Sequence, residues 1–288
     1  MRSTFNFKKH FPARSLIGAI LVAITFFLPV LAFQPAVSAA ACTTISSLPF
    51  TINASGKYCL SGDLSYSANA GSAIVISAGN VLLDLQGYTI SGGGTVASAI
   101  GTSGNHRSIT VRNGTVKGFR DAIRLGSISD TTSDSVVENL RLQDCQSVAI
   151  DVSGNGNIIR NNQVVNTREQ SFTDSGTSGI AVAGSSNAIL NNDIVDTIAA
   201  ANLCTAIVLN PSDRSIIENN RIERTAGEPG GTYAIYIGSS TNVLVVNNRI
   251  IRSDFGINFT NSTGIFRDNI AIGCTNPYSG GTNGGNNQ

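Results

Sequence analysis

Residues 157 to 167 read NIIRNNQVVNT, and thirty residues later the chain reads NAILNNDIVDT. The echo is not limited to two copies. Aligning Asn113, Asn139, Asn161, Asn191, Asn219, Asn247 and Asn269 places an aliphatic residue two positions before each of the first six. At Asn269 that position is Arg267, with Phe266 one earlier. An aliphatic residue generally follows three after. A weaker member, LQGYTI, carries Gly87 at the Asn position, and the steps between anchors are 26, 26, 22, 30, 28, 28 and 22 residues. A period of this length marks a repeat architecture, in which one short unit cannot bury its apolar face without its neighbours.

Each repeat also holds a second short apolar segment, such as Ala73-Ile74-Val75-Ile76, Ala149-Ile150-Asp151-Val152 and Ala234-Ile235-Tyr236-Ile237. Period-two alternation with β-branched residues predicts half-buried strands. No stretch after residue 41 carries a helical period. Short strands joined by polar turns can bury their inward side chains only by coiling, each coil stacking on the one before. The chain therefore reads as all-β, a single-stranded parallel β-helix (solenoid) of about eight coils. The Asn column is expected at a corner, as an internal ladder of amides stacked at about 4.8 Å in backbone that Asn tolerates.

The boundaries follow. Arg2, Lys8, Lys9 and Arg14 precede the apolar run from Leu16 to Leu31, and Ala36-Val37-Ser38-Ala39-Ala40-Ala41 supplies an A-x-A-like site. That pattern makes residues 1–41 a secretory signal peptide. The competing readings are an uncleaved anchor, for which the Pro29-interrupted run is short, and lipidation of Cys42, which Ala39 disfavours. Export to a secreted, periplasmic or cell-surface location permits disulfides, and Cys42 with Cys59 would close a local loop in an amino-terminal cap, 42–70. The repeats occupy 71–274, and 275–288 (TNPYSGGTNGGNNQ) reads as a flexible tail. Cys145, Cys204 and Cys274 are expected as unpaired thiols, since Cys145 and Cys204 lie two coils apart and would exceed disulfide reach.

The GI-x-I … N-x-I-x-x-N-N-x-I pattern resembles the right-handed parallel β-helix repeats of the pectin lyase-like superfamily, over roughly residues 70 to 272. The resemblance implies the right-handed fold but no single activity, because this scaffold hosts lyases, hydrolases, epimerases, tailspikes, adhesins and copper-handling proteins. The Asn-Thr-Asp, Asp-Asp, Gly-His-Gly and Arg-Ile-Lys motifs of polygalacturonase-like members are absent, as are the W-x-D-H and R-x-P-x-x-R stretches of pectate lyases.

Composition narrows the chemistry further. Once the four leading basic residues are set aside, 15 basic side chains face 18 acidic ones, about −3. No basic stripe exists to meet a nucleic acid. His106 is the sole histidine after the leader and sits in a Gly/Ser/Asn turn. A catalytic triad, a multi-histidine metal site and copper handling are all disfavoured, no calcium-loop signature is present, and no cofactor is expected.

Substrate in the resembling enzymes lies along the outward face of the first sheet. The outward position of the alternating strand reads, coil by coil, Val75, Gly101, Arg124, Asp151, Ala181, Val208, Tyr236 and Asn258. Arg124 and Asp151 fall one coil apart. The turn before Ile180 adds Arg168, Glu169, Phe172 and Asp174, and the turn before Ile235 adds Arg224, Glu228 and Tyr233. As a lyase on uronic acids, Arg124 or Arg168 would neutralise the sugar carboxylate while Tyr236 or Asp151 takes the proton. As an inverting hydrolase, Asp151 and Asp174 would need the spacing of two carboxyls about a water. The candidate catalytic set is thus Arg124, Asp151, Asp174 and Tyr236, with Arg168, Glu169, Phe172, Arg224, Tyr233 and Asn258 as glycan contacts. The plain alternative makes Arg124 and Asp151 a surface ion pair. The preferred reading is a non-catalytic β-helix that binds envelope or extracellular polysaccharide, or serves as a surface interaction or structural module, with no stable membrane insertion once the leader is removed. The alternative is a polysaccharide lyase or glycoside hydrolase acting on an acidic polysaccharide.

Overall fold

The structure, a computed structural model, describes residues 41–68, 70–93, 98–169, 176–199, 203–226 and 231–288. The proposed leader, 1–41, therefore lies almost wholly outside the described residues. Those residues form strands and turns without a helix. Every registered strand pair is parallel, as required when each coil repeats the path of the last. Three strand faces run the length of the right-handed solenoid.

The first face holds Ser72–Ile76, Ser98–Thr102, Asp121–Leu125, Val148–Ser153, Thr177–Ala183, Cys204–Leu209 and Thr232–Gly238, continued by the second half of Arg249–Thr260. Its inward column, Ile74, Ile100, Ile123, Ile150, Ile180, Ile207, Ile235 and Ile257, is wholly buried. Stacking equivalent isoleucines at the coil spacing fills the interior without gaps, so each leans on the one above and below.

The alternation in these strands is broken at one place. The small residue before each isoleucine also points inward: Ala73, Ala99, Ala122, Ala149, Ala206 and Ala234 are buried too. The registers step over it, pairing Asp121 with Val148 and Ile123 with Ile150. Only a small side chain fits this corner. At Gly179 even a methyl group would meet the Ala206 carbonyl oxygen at 2.6 Å. The break has a consequence for the outer surface, because the residue before the small one emerges as a second outward column: Ser72, Ser98, Asp121, Val148, Ser178, Thr205, Tyr233 and Phe255.

The amide ladder is displaced by one residue from the expected column. Asn113, Asn139, Asn161, Asn191, Asn219 and Asn247 adopt left-handed backbone, φ 52 to 58°, and the last four turn their side chains outward, where Asn247 donates to Asn219 at 2.5 Å. The next residue points inward and stacks: Asn162, Asn192, Asn220, Asn248 and Asn269 each pass an Nδ2 hydrogen bond to the following Oδ1, ending on Asn287, at 3.0 to 3.1 Å. Each Oδ1 also accepts the main-chain N–H of the preceding ladder residue, as Asn220 does from Asn192 at 2.9 Å. The left-handed residue makes the corner and its successor fills it; Asn269 alone of the expected set belongs to the ladder, because Asp268 takes the left-handed place there.

Strand pairing continues into both end segments. Thr43–Ile45 pairs with Tyr58–Leu60, and Phe50–Ile52 with Ile74–Ile76, so residues 43–66 already run in the sheets. Cys42 and Cys59 form the disulfide, Cα atoms 5.8 Å apart, which leaves Cys42 no thiol for a lipid. Residues 275–288 make a further turn: Asn276 and Tyr278 pair with Phe255 and Ile257, Gly280 and Gly281 bend at positive φ, and Asn287 joins the ladder. Cys145, Cys204 and Cys274 are free thiols. Burial pushes the Cys204 thiol up to about 12, and its Sγ donates to the Thr197 carbonyl at 3.0 Å, so it is inert.

Candidate functional site

The two outward columns of the first face bound a cleft of about 590 Å³, within the range of small-ligand pockets. Its hollow comes from residue size. Ser178, Thr205 and Val208 line its middle, with Ala181 in register between Asp151 and Val208. Larger side chains stand on the coils to either side. Arg120, Asp121, Arg124 and Asp151 form one end, Tyr233 and Tyr236 the other, and Gly176 and Leu203 line an edge.

At the charged end, the register sets Arg124 directly beside Asp151. The guanidinium lies 3.6 Å from the Asp151 carboxylate and 3.8 Å from that of Asp121, both beyond ordinary hydrogen-bond length. Asp121 is buried and accepts from Ser98 Oγ at 3.3 Å. Burial raises its pKa, against the opposing pull of Arg120 and Arg124. Burial likewise pushes Asp151 up to about 6, Arg124 opposing and the Asp121 charge adding to the rise. A carboxyl held near neutrality in a cleft, beside a cation, is the kind of perturbed group that marks functional sites.

The other end is aromatic. Tyr233 stacks on Phe255 of the next coil, ring centroids 4.8 Å apart, and meets Tyr236 edge-on at 5.2 Å. Such a rigid, amphipathic surface suits the apolar face of a sugar ring while its hydroxyls reach polar groups.

The expected set divides on this geometry. Arg124, Asp151, Tyr233 and Tyr236 meet in one cleft. Tyr236 nevertheless stands three coil steps from Asp151, about 14 Å, so the two cannot serve one bond. Asn258 follows Tyr236 in register but is buried and accepts from Thr260 Oγ1 at 2.7 Å. Arg168 and Glu169 line a separate depression of about 220 Å³ with Cys145 and Asn166. Arg224, at φ 57°, pairs with Asp196 at 3.2 Å on the third face and lines another hollow. Phe172, Asp174 and Glu228 lie outside the described residues. Sequence reasoning missed Asp121 and Arg120, whose signal was available: Asp121 is the residue before the Ala-Ile pair, on the second outward column. Among the described residues no group of three or more His, Cys, Asp or Glu could hold a metal ion.

Comparison with known proteins bears on the fold. A family model of the right handed beta helix region matches residues 126–287. No curated protein matches the chain. Among solved structures, an alginate lyase from Paenibacillus sp. is similar at 13% identity and TM-score 0.51, over 83% of this chain and 99% of that one. The A-module of a mannuronan C-5 epimerase from Azotobacter vinelandii aligns at 12% identity and TM-score 0.31, over 80% of this chain and 86% of its own.

Proposed function

Because the chain belongs to the right-handed β-helix family, we propose that it is an exported polysaccharide-binding protein whose glycan lies along the first face, between the Arg124–Asp151 end and the Tyr233–Tyr236 end. The cleft itself carries this reading. Small residues over successive coils open a groove parallel to the solenoid axis, and it offers what sugar recognition uses: charged hydrogen-bonding groups at one end and stacked aromatic rings at the other. The disulfide favours an oxidising compartment. The alginate lyase of similar fold acts on such a polymer, in keeping with a glycan ligand here.

One observation favours a catalytic version. Asp151, near pKa 6, is poised to exchange a proton at neutral pH. Beside it, Arg124 would neutralise a uronate carboxylate while Asp151 takes the adjacent proton, as in a lyase. Tyr236 is too distant to complete that step, which leaves binding as the better supported function.

Both readings meet in one experiment: retention of acidic and neutral polysaccharides by the purified protein, with unsaturated and reducing ends measured in parallel. Retention without release, weakened at least tenfold by Tyr236→Ala and by Arg124→Gln, is the expected result. Release of unsaturated ends, abolished in Asp151→Ala, would make the protein a lyase. No retention and no release across the panel would refute a glycan site.

A further inference from the structure

Among the described residues, four formal charges gather at one end of the cleft. Arg120, Asp121 and Arg124 come from the strand Asp121–Leu125 and the residue before it, and Asp151 is the sole titratable group of its own strand, Val148–Ser153. The strand packed on the other side, Thr177–Ala183, brings no charge. Of the remaining elements that contact the Asp151 strand, Thr132–Ser133 is uncharged and Gln163–Arg168 carries only Arg168, which donates to Asn166 and lines its own depression. The tyrosines stand at the far end. With every group ionised, two cations and two anions meet there.

That arrangement is loosely held. Arg124 lies between two carboxylates without closing a hydrogen bond to either, at 3.6 and 3.8 Å. Its planar fork of donors suits a bidentate carboxylate. An incoming carboxylate would, however, sit against Asp151 and Asp121 in a partly desolvated groove, where like charges repel strongly. Neutralising the less buried of the two, Asp151, lessens the repulsion and leaves Arg124 facing one carboxylate instead of two.

Resting on the glycan-binding reading above, we propose that the cleft takes a carboxylated glycan together with one proton: the glycan carboxylate occupies Arg124 as Asp151 becomes neutral, so acidification strengthens binding. The sign follows from linkage. A complex that takes up a proton gains affinity as pH falls and reaches a plateau once Asp151 is protonated in the free protein as well, below about pH 6. The glycan's own carboxylates remain charged down to about pH 4, so the plateau spans roughly pH 4 to 6. A neutral glycan has no such dependence.

The test is isothermal titration of the full exported chain with a hexuronic acid tetrasaccharide and with its carboxyl-reduced, neutral counterpart, at pH 5 and 7.5 and in two buffers of different ionisation heat. The tetrauronate should bind about tenfold or more tightly at pH 5 than at 7.5, with net proton uptake between those values, and the neutral sugar should bind alike at both. Asp151→Asn, its folding verified by thermal melting, should bind the tetrauronate at pH 7.5 as tightly as the wild type does at pH 5, without proton uptake. A tetrauronate affinity indifferent to pH, or an Asp151→Asn variant that keeps the wild-type pH dependence, overturns the proposal. Tight binding of the neutral sugar with no preference for the uronate overturns it while leaving the glycan site standing. Failure of both sugars to bind at either pH removes the glycan site as well.

Discussion

At the scale of single residues, Asp151 has a consequence for stability that needs no ligand. Its carboxyl ionises near pH 6 in the fold and near 4 in the unfolded chain, so between those values the native state holds the extra proton and stability falls as pH rises. Asp151→Asn should therefore raise the stability of the protein at pH 7.5, by roughly 1–2 kcal/mol once partial exposure is discounted, and leave it nearly unchanged at pH 4. Urea unfolding at the two pH values measures the difference; an equal effect at both would show that ionisation of Asp151 costs the fold nothing. Asp84 behaves oppositely. Though burial works against it, the Gln86 N–H and the Asn113 and Arg112 side chains hold its carboxyl below the usual range, so its contribution is present at neutral pH and lost only in strong acid. The sequence showed Arg124 and Asp151 as neighbours because period-two strands stacked at a constant repeat fix which residues share a column. Asp121 escaped notice because the inward Ala-Ile pair breaks that period, and only the resulting bend brings the preceding residue to the outer face.

At the scale of the element, the ladder separates two roles that adjacent asparagines play. Asn220 accepts from the Asn192 N–H and Nδ2, and donates to Ile189 O, Glu218 O and Asn248 Oδ1, all between 2.9 and 3.1 Å inside the corner. Asn219 supplies left-handed backbone at φ 57° with its side chain in solvent. Asn220→Ala should cost about 3 kcal/mol, because it strands buried partners on both neighbouring coils. Asn219→Ala should cost about 1 kcal/mol, the strain of a left-handed alanine, and Asn219→Gly close to nothing. Chemical denaturation of the three variants ranks them, and equal losses at 219 and 220 would contradict the division. The repeat was legible at this scale and its phase was not. Most copies write Asn-Asn, and an alignment alone cannot say which member turns the corner; Asn269, preceded by Asp268, is the copy that reveals the order.

At the scale of the whole molecule, a solenoid's coils touch only their neighbours, so stability is nearly a sum of coil terms and interfaces. This makes the last turn a discriminating place to cut. Residues 275–288 supply Asn287 to Asn269, the Tyr278 ring against Phe266 at 5.1 Å, and the Gly280-Gly281 bend against Phe259. Low apolar content made that stretch read as loose tail, since glycine and asparagine are common to disorder and to tight corners alike; its strand pairing with the coil before and the fit of Asn287 to the ladder distinguish the two. Removing 275–288 exposes the face of the coil formed by residues 255–260, Gly264–Arg267 and residues 270–274, and should loosen that coil alone. In native-state hydrogen exchange, amides from 255 to 272 should lose protection by tenfold or more, whereas those of Asp121–Leu125 and Val148–Ser153, several coils away, keep theirs. The cleft's charged end would remain intact, so the acid-dependent binding of a carboxylated glycan should survive the truncation. Loss of protection along the whole chain would mean that the coils fold as one cooperative block, and that the last turn helps to hold the distant Arg124–Asp151 geometry.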